Sequence, residues 1–197
     1  MKKTLLLLSI LFIAVISTAC INNFAVQELN NKAKAYLDNG DYLSAINRLE
    51  SSIDLDNTIF ETHYNLAVAY TMAENFEKAV LSYQNAAALK PDYPETYYSL
   101  AVAQVNHAEA ILSGKYLAKT EESVENVKID LNNNTASGLD NSFKPSAEDK
   151  AKAASEFSNA VNSYSKYLSF EVKDADDVNA QIERVKSRID SLTNTKK

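Results

Sequence analysis

The 197-residue chain has no tryptophan, one cysteine, two histidines, three glycines and three prolines. A lone cysteine allows no disulfide within the chain, so the fold must stand on packing. So few cysteines and histidines leave little from which to build a zinc site. Three glycines also remove the Gly-rich loops that cradle phosphates. With so little turn material, long helices are expected. Positive charge is in deficit as well, with 20 Lys and Arg against 26 Asp and Glu and a net charge of -6. That balance argues against nucleic acid, which calls for a basic face, and against a polybasic membrane patch.

One long apolar run exists, at the N-terminus. Lys2 and Lys3 precede apolar residues from Leu5 to Ile16, followed by Ser17-Thr18-Ala19-Cys20. A basic start, about a dozen apolar residues and a small-residue site form a signal-peptide pattern. The run is shorter than the roughly 20 apolar residues of a transmembrane helix. The small residues lead directly into the only cysteine, and this resembles the lipobox of bacterial lipoproteins, with Ser17 standing where Leu is usual. The resemblance implies cleavage after residue 19 and a lipid on Cys20, and two or more acyl chains give stable anchoring. It also implies a cell-envelope location, with Ile21 after the cysteine favouring the outer membrane facing the periplasm. Removing Lys2 and Lys3 takes the net charge from -6 to -8 and leaves residues 20–197, enough for one domain.

Behind this leader lies a period. Tyr42-Leu43-Ser44-Ala45-Ile46 and Phe76-Glu77-Lys78-Ala79-Val80 are 34 residues apart, as are Tyr36 and Tyr70, Leu49 and Tyr83, and Asn57 and Pro91. Small residues repeat at Ala33, Ala67 and Ala101, four positions after the large Leu29, His63 and Tyr97. Small side chains where two antiparallel helices cross let them approach, and large ones fill the gaps beside them. The period and its residues resemble the tetratricopeptide repeat. The resemblance implies an all-α fold, a short α-solenoid of antiparallel helix pairs whose core is continuous only through stacking. Repeats are expected at about 26–59, 60–93 and from 94 onward. Gly40 provides the turn inside the first unit, and Pro91 ends the second.

The third unit departs from the pattern. Its first helix begins correctly at Glu95, Tyr97, Leu100 and Ala101, but Ser113 and Thr120 match the second helix poorly. Asn159-Ala160-Val161-Asn162-Ser163-Tyr164 matches far better, with Ala153/Phe157/Ala160 as an alternative register. An insertion of about 107–147 is therefore expected, helical over 104–128 with a break at Gly114, then a loop through Asn132-Asn133-Asn134, Gly138 and Pro145. Long loops are often functional. A helix over about 147–169 should follow. Asp174, Asp176 and Asp177 then make an acidic helix start. Val178, Ile182, Val185, Ile189 and Leu192 form one apolar stripe. This helix, about 175–194, is expected to cap the array, the alternative being a coiled-coil seam.

No catalytic set is found. His63 occupies a packing slot, and no Ser sits in a Gly-x-Ser-x-Gly turn. The acidic pairs Glu121-Glu122 and Asp176-Asp177 have no cleft around them of the kind glycoside hydrolysis needs. The expectation is no enzyme, no metal and no cofactor. In the family resembled, first-helix residues line the ligand face. This places Asn30 and Lys34, then Tyr64, Asn65 and Val68, then Tyr98 and Val102, on a concave groove for a protein or peptide. Tyr offers area with a polar tip, and Asn can pair with a main-chain amide. The reading is a lipid-tethered protein-binding scaffold of the cell envelope. The alternatives are an assembly component working through the C-terminal helix, or a hydrolase with its site in the insertion.

Overall fold

In the computed structural model the described residues are 23–114 and 143–194. Cys20 and the leader, with residues 115–142 of the expected insertion, lie outside them. The described residues form seven helices: α1 (23–38), α2 (Tyr42–Leu55), α3 (Phe60–Met72), α4 (Phe76–Leu89), α5 (Pro94–Leu112), α6 (Ala147–Leu168) and α7 (Ala175–Thr193). No strand occurs among them. The chain divides into two compact units, residues 1–96 and 97–197.

In the first unit the small residues of the repeat sit where helices cross. Ala33, Ala45, Ala67 and Ala79 are fully buried, and Leu49 and Tyr83 fill the space beside them. Both helix pairs close through the same turn. Asp41 N–H donates to Tyr36 O at 2.9 Å and Gly40 N–H to Leu37 O at 3.0 Å; 34 residues later Asn75 N–H donates to Tyr70 O at 2.9 Å and Glu74 N–H to Thr71 O at 3.1 Å. This is the Schellman arrangement, in which one residue takes a left-handed conformation. Gly40 does so at φ 75°, and Glu74, at the equivalent position, does so at φ 56°. The next helix is capped at once: Asp41 accepts from Ser44 N–H, and Asn75 from Lys78 N–H.

The second unit is built from longer helices. α5 has 19 residues and α6 has 22, against 13 and 14 for α3 and α4. The extra turns have something to bury. Ala108 and Ile111 pack with Ala153, Phe157 and Val185, while Ala101 packs with Tyr164, Val178 and Ile182. α6 therefore supplies the second helix of the third pair, and both proposed registers, Ala153/Phe157/Ala160 and Ala160/Tyr164, lie in its buried face. Ser146 opens α6 with a reciprocal capping box to Asp149, and these two hydrogen bonds hold the Asp149 carboxyl below its ordinary range.

α5 does not run on to 128. It ends at Leu112, and Gly114 takes φ 71°. The ring of Phe143 lies against Gly114, so the chain leaves and returns at one place. α7 begins with Asp174, Asp176 and Asp177 as expected, but the Asp174 carboxylate accepts from Tyr167 Oη–H at 2.8 Å instead of capping the helix. Its apolar stripe faces inward: Val178, Ile182 and Val185 are buried and Ile189 and Leu192 pack against the same core. The stripe caps α5 and α6, and no coiled-coil seam remains on α7.

Candidate binding surface

The seven candidate residues have different surroundings. Asn30, in α1, is committed inside the fold. Its Nδ2 donates to Ser52 Oγ in α2 at 2.9 Å and Thr62 Oγ1 in α3 at 3.0 Å, and lies 2.9 Å from Val26 O. Ser52 and Thr62 are fully buried. This corrects the assignment of Asn30 to a ligand face, because its amide pins three helices together. Lys34, one turn on, is exposed and forms no ion pair among the described residues.

Tyr64 is the repeat equivalent of Asn30 and meets an aromatic cluster instead. Its ring lies edge-on to Tyr83 at 5.6 Å and Tyr93 at 6.0 Å, and 5.7 Å from Phe60. Phe60 and Tyr93 are themselves edge to face at 5.2 Å. Lys90 Nζ stands 4.9 Å from the Tyr93 ring centre and 5.1 Å from Phe60, within cation–π range. Burial, then Glu95 and Tyr64, raise the Tyr93 hydroxyl above its usual range. Tyr64 is half-buried, so part of this cluster faces solvent. Asn65 and Val68, on the same helix, are also half-buried, and the Asn65 amide makes no hydrogen bond among the described residues.

In the second unit, Tyr98 is the more open candidate, with 36% of its surface exposed. Its ring packs on Tyr164 at 5.7 Å and Tyr167 at 5.4 Å. Beside it Tyr97 stacks on Phe170 at 5.9 Å, and Lys166 Nζ lies 5.1 Å from the Phe170 ring centre. Burial, with Tyr98 nearby, pushes the Tyr164 hydroxyl up to about 12. Val102 is not a surface contact: it packs against Ala101, Tyr164, Val178 and Ile182. Its assignment to a ligand face is corrected too, because α6 and α7 cover it.

Sequence reasoning missed the two lysine–aromatic clusters. Phe60, Tyr93 and Phe170 stand at helix starts or ends, outside the 34-residue pattern, and no spacing rule joins them. Nothing among the described residues brings three metal-ligating side chains together. Nor is any described helix long and apolar enough to cross a membrane.

A family model described as TPR repeat matches residues 73–107. Among solved structures, the first TPR domain of the human RPAP3 protein is similar at 16% identity and a TM-score of 0.54, covering 86% of this chain and 96% of that one. The first TPR of Spaghetti (RPAP3), bound to an HSP90 peptide, is similar at 16% identity and a TM-score of 0.53, covering 82% and 90%. At that identity the likeness concerns the fold. Comparison with curated proteins gives no match. Helices, turns and comparisons agree that the chain is an all-α helical-repeat protein carrying tetratricopeptide repeats.

Proposed function

We propose that the protein is a lipid-anchored, non-enzymatic scaffold of the bacterial cell envelope that holds a protein or peptide partner on the first-helix faces of its repeats. The observation that carries the reading is the set of first-helix side chains left uncommitted inside a repeat fold: Lys34, Asn65 and the open ring of Tyr98. A lysine, a free amide and a tyrosine face suit an extended chain, supplying charge, main-chain hydrogen bonds and apolar area. The similar RPAP3 domain that holds a peptide supports the class of partner, through its fold. Asn30 and Val102 take no part, since both are used within their own units.

The anchor rests on Cys20 and the run before it. An assembly role through the C-terminal helix is the weaker reading, because α7 presents only its polar side to solvent. The binding surface is tested with a photo-crosslinking residue placed at Asn65 or Tyr98 in cells, and at Arg48 on α2 as control. One partner captured at the first two sites and not the third supports the reading; equal capture at all three refutes it. Cys20→Ala should abolish labelling by a fatty-acid analogue, and persistent labelling would overturn the anchor.

A further inference from the structure

His63 occupies a position at which the neighbouring repeats place Leu29 and Tyr97. It is 94% buried, and packing alone would be served by leucine. Its Nε2 lies 2.9 Å from Asn57 O. A carbonyl oxygen can only accept, so Nε2 carries the hydrogen and, in the neutral ring, Nδ1 presents a lone pair. Nδ1 is buried and receives no hydrogen bond from any described residue. A buried acceptor left unpaired costs stability that an apolar residue would not, and such an atom in a native fold asks for an explanation.

The same imidazole forms part of the wall of a shallow recess of about 240 Å³, completed by Asn57, Asn85, Ala88 and Leu89. Leu89 is 40% exposed, and the two asparagines are exposed. The volume is below the roughly 300–1,000 Å³ of small-molecule pockets, which suits one residue of a chain better than a cofactor. We propose that this recess, at the end of α4 and the turn before α3, is a second docking site that takes a single aliphatic residue of a partner peptide, whose main-chain N–H donates to His63 Nδ1. Asn57 and Asn85 offer both donors and acceptors to the flanking amides, and Ala88 and Leu89 supply the apolar contact. The site uses none of Lys34, Asn65 or Tyr98, so it stands or falls apart from the first-helix surface.

The test uses the full ¹⁵N-labelled chain in detergent micelles and N-acetyl-leucine N′-methylamide as probe, with NMR read at the His63 ring nitrogens and the Asn57 and Asn85 side-chain amides. A ligand this small binds in the millimolar range. The expected result is a saturable shift of Nδ1 in the direction of an accepted hydrogen bond, together with both amides. His63→Leu should keep the fold and weaken binding about tenfold, the loss of one hydrogen bond. Leu89→Asp, at an exposed position, should weaken it comparably and serves if His63→Leu fails to fold. No saturable shift, or a shift unchanged in Leu89→Asp, overturns the proposal.

Discussion

Replacing Gly114 with alanine separates two costs that the structure superimposes. The first is conformational: at φ 71° an L-residue sits in the left-handed region, which costs about 1–2 kcal/mol. The second is steric. An added Cβ would stand 2.6 Å from Phe143 Cγ and 2.7 and 2.8 Å from its Cδ atoms, so the ring must move off the chain. Displacing a half-buried ring forfeits part of its packing, about 1–2 kcal/mol of the 3–5 kcal/mol that deleting a buried Phe costs. Gly114→Ala should therefore destabilise by about 2–4 kcal/mol. A double-mutant cycle with Phe143→Ala isolates the steric part, because without the ring only the conformational cost of about 1–2 kcal/mol remains. The measurement is urea unfolding followed by circular dichroism, with the four proteins compared at constant m. If the penalty of Gly114→Ala is the same with and without Phe143, the ring does not close the base of the insertion and the argument fails.

Glu74→Gly should stabilise the protein by about 0.5–1 kcal/mol, since relief of left-handed strain outweighs the added freedom of glycine in the unfolded chain; a lower urea midpoint would contradict it. Asn30→Ala should cost about 2–3 kcal/mol, because it leaves Ser52 and Thr62 hydroxyls buried without their partner. Adding Ser52→Ala removes one orphan hydroxyl, so the double variant should lose less than the two single losses added, and strict additivity in the same unfolding assay would refute the joint. Tyr164 should ionise at about 12, where an exposed tyrosine ionises near 10. The folded state thus holds the proton that the unfolded state releases, and the stabilisation from this group is complete below pH 10 and lost as pH rises through 12. The ultraviolet titration difference between wild type and Tyr164→Phe reads this directly, and a midpoint near 10 would be inconsistent with the burial.

The repeat was legible because close helix crossings admit only small residues, and that requirement repeats with the fold: Ala33, Ala67 and Ala101 are all fully buried. Helix α7 was legible for the same kind of reason, an apolar stripe needing a surface to cover. The fate of individual face positions was not legible. Asn30, Tyr64 and Tyr98 share one repeat position, yet the first pins three helices, the second enters an aromatic cluster and the third stays largely open. Each outcome depends on residues elsewhere. Ser52 and Thr62 surround Asn30, while the residue equivalent to Ser52 beside Tyr64 is Ala86, which offers no hydroxyl. The end of α5 was also misplaced, because local propensity continues past Leu112 and only Gly114 with Phe143 stops the helix.

That divergence at equivalent positions bears on recognition. In a repeat, the period fixes which side chains face a partner, but neighbours decide which of them are free to bind. Unit by unit, the polar groups left free are Lys34 in α1 and Asn65 in α3, while α5 offers the ring of Tyr98. Lys90 and Lys166, which could have added positive charge, instead sit over the rings of Phe60 and Phe170. A lysine held over a ring keeps its charge yet gives up freedom to reach a ligand. A clamp that grips a carboxylate through several basic residues is therefore not what these faces provide. Specificity is better sought in aromatic area and main-chain hydrogen bonds, which read the shape and exposed backbone of a partner more than its charge.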